Sequence, residues 1–286
     1  MKEKKASKTV TLADMQNKKA SGEKITMLTA YDYSMARLLD EAGLDIVLVG
    51  DSLGMVALGY DSTVPVTMDE MIHHCSAVRR GVNRALLIGD MPYLSYQVSK
   101  NEAVKNAGLF LKKAGCHGVK LEGGSDIAST IEKMVKAGIS VMGHIGLTPQ
   151  TAIALGGYKV QGRDLKSAKK LIEDARAVYN AGAFSLVLEC IPSIIAKTIT
   201  ETVPIPTIGI GAGPHCDGQV LVINDLLGFF EKFTPSFVKR YANLNPKIRE
   251  ALEDFINEVK SGVFPGPEHS FRGGEELLED LKTDNK

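Results

Sequence analysis

Short apolar runs without polar alternation recur along the chain, each preceded by a helical pattern and closed by a polar residue. The helical stretch ends in Ala-Gly four times. Ala42-Gly43 precedes LDIVLVG and Asp51, and Ala114-Gly115 precedes CHGVKL and Glu122. Ala137-Gly138 precedes ISVMG and His144, and Ala181-Gly182 precedes AFSLVL and Glu189. Arg80-Gly81, before VNRALLIG and Asp90, keeps the order without the alanine. Glycine just past a helix takes the left-handed C-cap conformation at little cost. Runs of Val, Ile and Leu without alternation suit parallel strands covered on both faces. Helix starts are marked as well: Thr67 with Glu70 and Ser99 with Glu102 fit the capping box. After Thr67, Met68, Met71, Ile72, Cys75 and Val78 recur on one helical face.

These runs predict strands near 25–30, 45–49, 85–89, 118–121, 139–143, 184–188, 206–210 and 219–223, most of them separated by helices. Eight strands alternating with helices favour a closed (β/α)8 TIM barrel, with an open doubly wound sheet as the alternative. The connection from strand seven to strand eight is too short for a full helix. Helical patterns near 236–260 follow the last strand, then a Gly/Pro-containing tail. A single barrel domain is expected over 1–286, with a short lead-in to about 23 and a helical extension and tail from about 235.

Composition narrows the function classes. Lys plus Arg equals Asp plus Glu at 34 each, so nothing electrostatic favours nucleic acid or an anionic membrane. Cys75, Cys116, Cys190 and Cys216 form no CxxC pair and suit small buried residues in a reducing cytoplasm. The basic start MKEKKASK has no apolar run after it, unlike a secretory signal. The longest stretch without Asp, Glu, Lys or Arg, 137–158, contains His144, Pro149 and Gln150 and would sit badly in hydrocarbon. A soluble protein is expected.

In a (β/α)8 barrel the active site lies at the C-terminal ends of the strands. Barrel closure would gather Asp51, Asp90, Glu122, His144 and Glu189 there. A single acid after a strand is often only a helix N-cap, but five polar strand ends on one face are hard to dismiss that way. Four converging carboxylates repel unless protonated or neutralised by a cation. Hard oxygen ligands without a cysteine cluster suit Mg2+. Lys120 lies two residues before Glu122 in an apolar run, so it points to the same side and needs an anionic partner. His144 is expected at the mouth, and Tyr31 and Asp32 close the first strand beside the pocket. His73 and His74 read as structural or surface residues, and His117 falls at the opposite barrel end. Gly209 to Gly213 lack the spacing of a dinucleotide fingerprint and predict a tight mouth turn or a close backbone approach.

The stretches MLTAYDYSMARLLDEAGLDIVLVGDSLGM at 27–55, TVPVTMDEMIHHCSAVRRG at 63–81 and LLIGDMPYLSY at 86–96 resemble the ketopantoate hydroxymethyltransferase family. GVKLEGG at 118–124, VMGHIGLTPQ at 141–150, LVLECIP at 186–192 and IGIGAGPHCDGQVLVINDLLG at 208–228 continue the likeness. The resemblance implies a barrel of the phosphoenolpyruvate mutase/isocitrate lyase superfamily type. It implies transfer of a hydroxymethyl group from 5,10-methylenetetrahydrofolate to 3-methyl-2-oxobutanoate, giving ketopantoate. It places Mg2+ on Asp51 and Asp90, with Glu122 joining directly or through water. It assigns the 2-oxo acid to Asp51, Ser52, Asp90 and Lys120; the chemistry of the mouth, apart from the resemblance, adds His144 as a candidate for positioning substrate or a water. Glu189 becomes the proton acceptor. It also implies a cytoplasmic homo-oligomer, typically a decamer, with no cofactor beyond metal and folate. The alternative in the same superfamily is a carbon–carbon lyase acting on a 2-oxo acid. Such lyases commonly use a loop cysteine, and none of the four cysteines sits in that kind of motif.

Overall fold

The computed structural model describes residues 8–154, 156–229, 235–274, 277, 278 and 281; the basic start at 1–7 lies outside them. The chain divides into two compact units, Met1–Leu226 with Phe230–Lys239, and Leu227–Phe229 with Arg240–Lys286.

In the first unit the elements run α1 (Leu12–Ser21), β1 (Ile25–Thr29), α2 (Tyr33–Glu41), β2 (Ile46–Val49), α3 (Leu53–Val56), α4 (Met68–Gly81) and β3 (Leu86–Asp90). They continue with α5 (Lys100–Lys112), β4 (Gly118–Glu122), α6 (Ala128–Lys136), β5 (Val141–Gly146) and α7 (Leu165–Asn180). The last are β6 (Ser185–Glu189), α8 (Ser193–Thr202), β7 (Thr207–Ile210), β8 (Gly218–Leu221) and α9 (Ile223–Leu227). All eight strands pair in parallel with their chain neighbours, and β8 closes on β1. The open sheet is thereby excluded. No helix separates β7 from β8, as the short connection predicts.

Seven strands fall within two residues of their expected ends. The fifth runs later, at Val141–Gly146, because Ile139 still donates its N–H to Met134 in the preceding helix terminus. His144 is consequently an interior residue of its strand and not its last. Gly43, Gly115, Gly138 and Gly182 take positive φ after their helices, as the Ala-Gly repeat predicts. Gly81 does not: it ends α4 in helical conformation, where a Cβ would stand 2.7 Å from the Tyr33 carbonyl oxygen. That glycine serves close packing of α4 on α2. The Thr67–Glu70 capping box is complete, whereas at Ser99 only the Glu102 N–H donation to the hydroxyl is present.

The barrel interior follows from strand period two. Ile25, Met27, Ile46, Leu48, Leu86, Ile88, Met142, Val187, Ile208 and Val220 form one buried cluster. The lead-in, unremarkable in sequence, closes its floor. Met15 of α1 is 1% exposed and joins the same cluster with Val10. Lys18 pairs with buried Asp45 at 2.9 Å, just before β2, and Lys19 with Asp217 at 2.7 Å, just before β8. Each aspartate also accepts from a threonine at a strand start, Thr26 and Thr207 respectively. Helix α1 is thus clamped to two seams of the barrel at once.

In the second unit α10 spans Asn245–Ser261 and ends at left-handed Gly262. It starts later than the pattern near 236 suggests. Pro246 sits in its first turn, and a proline there disfavours helix in the residues before it.

Removing the floor should be felt globally. Met15→Ala is expected to lower the unfolding free energy by about 2–5 kcal/mol in a urea titration, with the opposite end of the barrel unaltered. Wild-type stability in that variant would mean α1 does not complete the core.

Candidate active site

The inward positions that carry the apolar cluster turn polar toward the strand C-termini. In β3 the series runs Leu86, Ile88, Asp90, and in β6 it runs Ser185, Val187, Glu189. Register then sets neighbours. Asp90 stands opposite Lys120 and Glu122 opposite His144. Asp51 and Ser52 enter from the turn between β2 and α3. All seven predicted site residues, Asp51, Ser52, Asp90, Lys120, Glu122, His144 and Glu189, line one cavity of about 140 Å³. Leu48, Met55, Val187, Ile210 and Val220 supply apolar wall.

The polar groups form a dense ring. Lys120 Nζ lies 2.8 Å from Asp90 Oδ1, 3.9 Å from Glu122 Oε1 and 3.3 Å from His144 Nδ1. The Lys120–Asp90 contact is a fully buried ion pair. The Asp51 N–H donates to Asp90 Oδ2 at 3.3 Å. His144 stands between two carboxylates, with Nδ1 3.5 Å from Glu122 and Nε2 3.2 Å from Glu189.

Burial and mutual repulsion dominate the protonation equilibria. Burial, with the charges of Asp90 and Glu122, pushes the Asp51 carboxyl well above its usual range. Burial also raises Asp90, against the pull of Lys120. For Glu122 burial is more than offset by His144 and Lys120, and its carboxyl falls below the ordinary value. Burial works against the Lys120 ammonium, yet Asp90, Glu122 and Asp51 together hold its pKa above that of a free lysine. For His144, burial and Lys120 are outweighed by Glu122 and Glu189, which bring it up to about 9. The ring is short of positive charge.

Gln150, absent from the expected site residues, ties the ring together. It is 4% exposed and sits in a short 3-10 turn, Pro149–Thr151, after β5. Its Nε2 donates to Asp51 Oδ2 at 2.8 Å and to the Met91 carbonyl at 2.9 Å. Its backbone N–H donates to Glu122 Oε2 at 3.0 Å. Its Oε1 accepts from the Tyr96 hydroxyl at 2.8 Å, and that hydroxyl in turn accepts from the Glu122 N–H. One residue therefore orients two carboxylates, one in the turn after β2 through its side chain and one at the end of β4 through its backbone. The only sequence signal was its place in GHIGLTPQ, since a loop residue shows no periodicity.

Other candidates separate. Tyr31 is buried, and its hydroxyl lies 2.8 Å from Ser52 Oγ, so it positions a cavity residue from behind. Asp32 does not line the pocket: it is exposed and N-caps α2 by accepting from the Met35 N–H. Extended backbone at residue 32 turns its side chain to the helix start. His74 Nδ1 meets the Tyr31 carbonyl at 2.7 Å, and His73 is exposed. His117 accepts from the Leu87 N–H at the far end, as expected. Gly211, with φ 61, allows Phe237 to pack against the turn after β7. Cys190 is half-buried, and burial with the Glu189 charge pushes its thiol up to about 12.

The model of the ketopantoate hydroxymethyltransferase family matches residues 9–267. The chain belongs to that family. A relative from Syntrophomonas wolfei subsp. wolfei, named 3-methyl-2-oxobutanoate hydroxymethyltransferase, is 58% identical over 272 residues, covering 95% of this chain and 99% of its own. Among solved structures, phosphonopyruvate hydrolase in complex with oxalate and Mg2+ aligns at a TM-score of 0.60. That alignment is 13% identical and spans 97% of this chain and 96% of the other. A 2,3-dimethylmalate lyase of the PEP mutase/isocitrate lyase superfamily aligns at 0.56, with 14% identity over 96% and 97% of the two chains. The barrel of this chain therefore shares the fold of those structures. Among the described residues, no helix is long and apolar enough to cross a membrane.

Gln150→Ala strips buried Asp51 Oδ2 and the Met91 carbonyl of their amide donor. It should lower the unfolding free energy by about 1–3 kcal/mol in denaturant titration. An unchanged midpoint and slope would remove Gln150 from its structural place in the ring.

Proposed function

We propose that this cavity binds 3-methyl-2-oxobutanoate and that the enzyme transfers a one-carbon unit to its carbon 3 from 5,10-methylenetetrahydrofolate. One water supplies the new hydroxyl, and the products are ketopantoate and tetrahydrofolate. The observation that carries the reading is an opposition within one cavity. Asp51 and Asp90 converge after β2 and β3, and Glu189 ends β6, on the far side of an eight-strand ring. Acceptors for a cation thus face a base across the space where substrate would lie.

The donor set fits Mg2+ held by few protein ligands. Among the described residues, no three His, Cys, Asp or Glu side chains are arranged to hold a metal between them. Magnesium commonly takes one or two carboxylates and fills its remaining positions with water and substrate oxygens. Asp51 and Asp90, adjacent, buried and raised in pKa by burial, are that pair. Glu122, engaged by Gln150 and facing His144 and Lys120, would reach the ion through water. When bound, the ion supplies a Lewis acid to the carboxylate and keto oxygens of a 2-oxo acid.

The chain's own groups supply the rest. Lys120, charged and beside Asp90, offers a positive field where the substrate's negative charge would grow. Glu189, half-buried and next to His144, is the group placed to accept the carbon 3 proton. His144, with Nε2 3.2 Å from Glu189 Oε2, holds that carboxylate in place. Ser52, backed by Tyr31, and the Asp51–Asp90 edge complete the acid's cradle. The apolar wall of Leu48, Val187, Ile210 and Val220 suits the branched methyl groups.

Proton NMR of 3-methyl-2-oxobutanoate in D2O, with Mg2+ and without folate, tests the first chemical step. The wild-type protein should exchange the carbon 3 proton only with metal present. Glu189→Gln should slow that exchange by about 10²–10⁴-fold while the acid still binds. Undiminished exchange in Glu189→Gln would take the base role from Glu189. Asp51→Asn or Asp90→Asn should shift the Mg2+ titration to higher concentration, and an unmoved titration would sink the metal assignment.

A further inference from the structure

The cavity is lined by a buried hydroxyl that neither the ring nor the catalytic reading uses. Thr63 carries it and is 2% exposed. Among the described residues, its Oγ1 is buried without a hydrogen-bond partner. The other hydroxyls lining the cavity are engaged. Ser52 is bonded to Tyr31, Thr29 accepts from the Ile223 N–H, and Tyr158 lies 4.0 Å from Met55 Sδ. A buried hydroxyl without a partner is unfavourable by roughly the worth of a lost hydrogen bond. Such a group persists where the surrounding structure holds it.

The segment between α3 and α4 does hold it. The Tyr60 N–H donates to the Gly54 carbonyl at 2.7 Å, and the Tyr60 hydroxyl donates to Glu70 Oε1 at 2.6 Å. Val66 packs so closely on Gly54 that a Cβ there would stand 2.5 Å from its methyl, and the Val66 N–H closes a turn on the Thr63 carbonyl at 3.1 Å. Thr63 is pinned from both sides, so its unsatisfied hydroxyl is not relieved by loop adjustment.

The ring is also rich in acceptors and poor in donors. Asp51, Asp90, Glu122 and Glu189 accept, while Lys120 is committed to Asp90 and His144 stands between two carboxylates. An incoming carboxylate has about four lone-pair sites to satisfy. We propose that the Thr63 hydroxyl donates a hydrogen bond to the anionic end of the bound 2-oxo acid, making it a substrate-binding residue of this site. The inference rests on the substrate reading given under Proposed function. Threonine here is a preformed donor: its partner arrives with the ligand.

Thr63→Val keeps the shape and removes the hydroxyl, and Thr63→Ser restores the donor. Three readings are taken on wild type and both variants. The first is the melting temperature without ligand. The second is the rise in melting temperature on adding 3-methyl-2-oxobutanoate with Mg2+ and no folate, when no turnover occurs. The third is KM and kcat with folate. Thr63→Val should melt at or above the wild-type temperature without ligand, because an unsatisfied hydroxyl has been removed. It should lose most of the ligand-induced rise and show a KM at least about tenfold higher, with kcat far less changed. Thr63→Ser should recover most of both. A wild-type KM and ligand-induced rise in Thr63→Val would overturn the inference, as would a lower melting temperature without ligand, which marks a structural hydroxyl. Thr63→Ala repeats the comparison should valine not be accommodated. A wild-type protein that neither binds nor converts 3-methyl-2-oxobutanoate would instead overturn the substrate reading, and this inference with it.

Discussion

Four carboxylates and one lysine share the mouth of a closed barrel, and the rest of the site depends on how that charge is balanced. Lys120 is 4% exposed and rises from β4 between Asp90 on one side and His144 on the other. Breaking a buried pair leaves an uncompensated charge, at a typical cost of about 3–5 kcal/mol. Lys120 alone does not neutralise Asp51, Asp90, Glu122 and Glu189 together. A protonated His144 narrows the deficit without closing it. The residual negative charge lies on the Asp51–Asp90 side, where burial already disfavours ionisation. A divalent cation there, as the proposed function requires, would offset that charge and offer coordination positions to a chelating acid. On the proposed function, the binding of metal and the binding of a 2-oxo acid would be two consequences of one charge imbalance.

Stability and chemistry occupy opposite ends of the same strands. Period two sends alternate residues inward, so Ile88 and Asp90 belong to one row, as do Val187 and Glu189. The lower positions pack with α1, whose lysines clamp Asp45 and Asp217 and so join β1, β2, β7 and β8. This firm base permits a repulsive mouth. The network of Gln150 and Tyr96 does the corresponding work at the top, fixing Asp51 and Glu122 through neutral donors that add no charge.

Much of this was legible because strand and helix periods leave marks that survive in one dimension. Asp51, Asp90, Glu122, His144 and Glu189 stood out as polar closures of apolar runs, and Lys120 as a cation inside one. What escaped has a common cause. Gln150 and Thr63 sit in irregular segments, and only tertiary folding decides that these amides and hydroxyls are buried. Helix α1 looked like a lead-in because its single fully buried side chain, Met15, makes no stripe. Gly81 carries the same letter as the C-cap glycines, yet it answers to packing against Tyr33 and Ala36 and not to backbone conformation. Asp32 follows a strand like the residues that line the cavity, but its side chain was claimed by a helix terminus.

The placement of Glu189, the base of the proposed function, rests on backbone constraint. Directly after it, Cys190 adopts φ 48, a left-handed conformation that non-glycine residues seldom take. The kink is held on both sides: the Cys190 N–H donates to Ile210 and its carbonyl accepts from Gln161. The Glu189 carbonyl accepts from the Leu147 N–H at 2.9 Å, and Gly146, with φ 100, passes so close that any side chain there would strike it. With its backbone held at that carbonyl and in the turn that follows, the carboxylate has little freedom beyond its own rotamers, and His144 constrains those. If Glu189 is the base, a carboxylate fixed in this way would not have to be ordered when substrate arrives, because its orientation is built in by folding. The conformational strain at residue 190 is thus the counterpart of a carboxylate held in place at residue 189, which the proposed function uses as its proton acceptor.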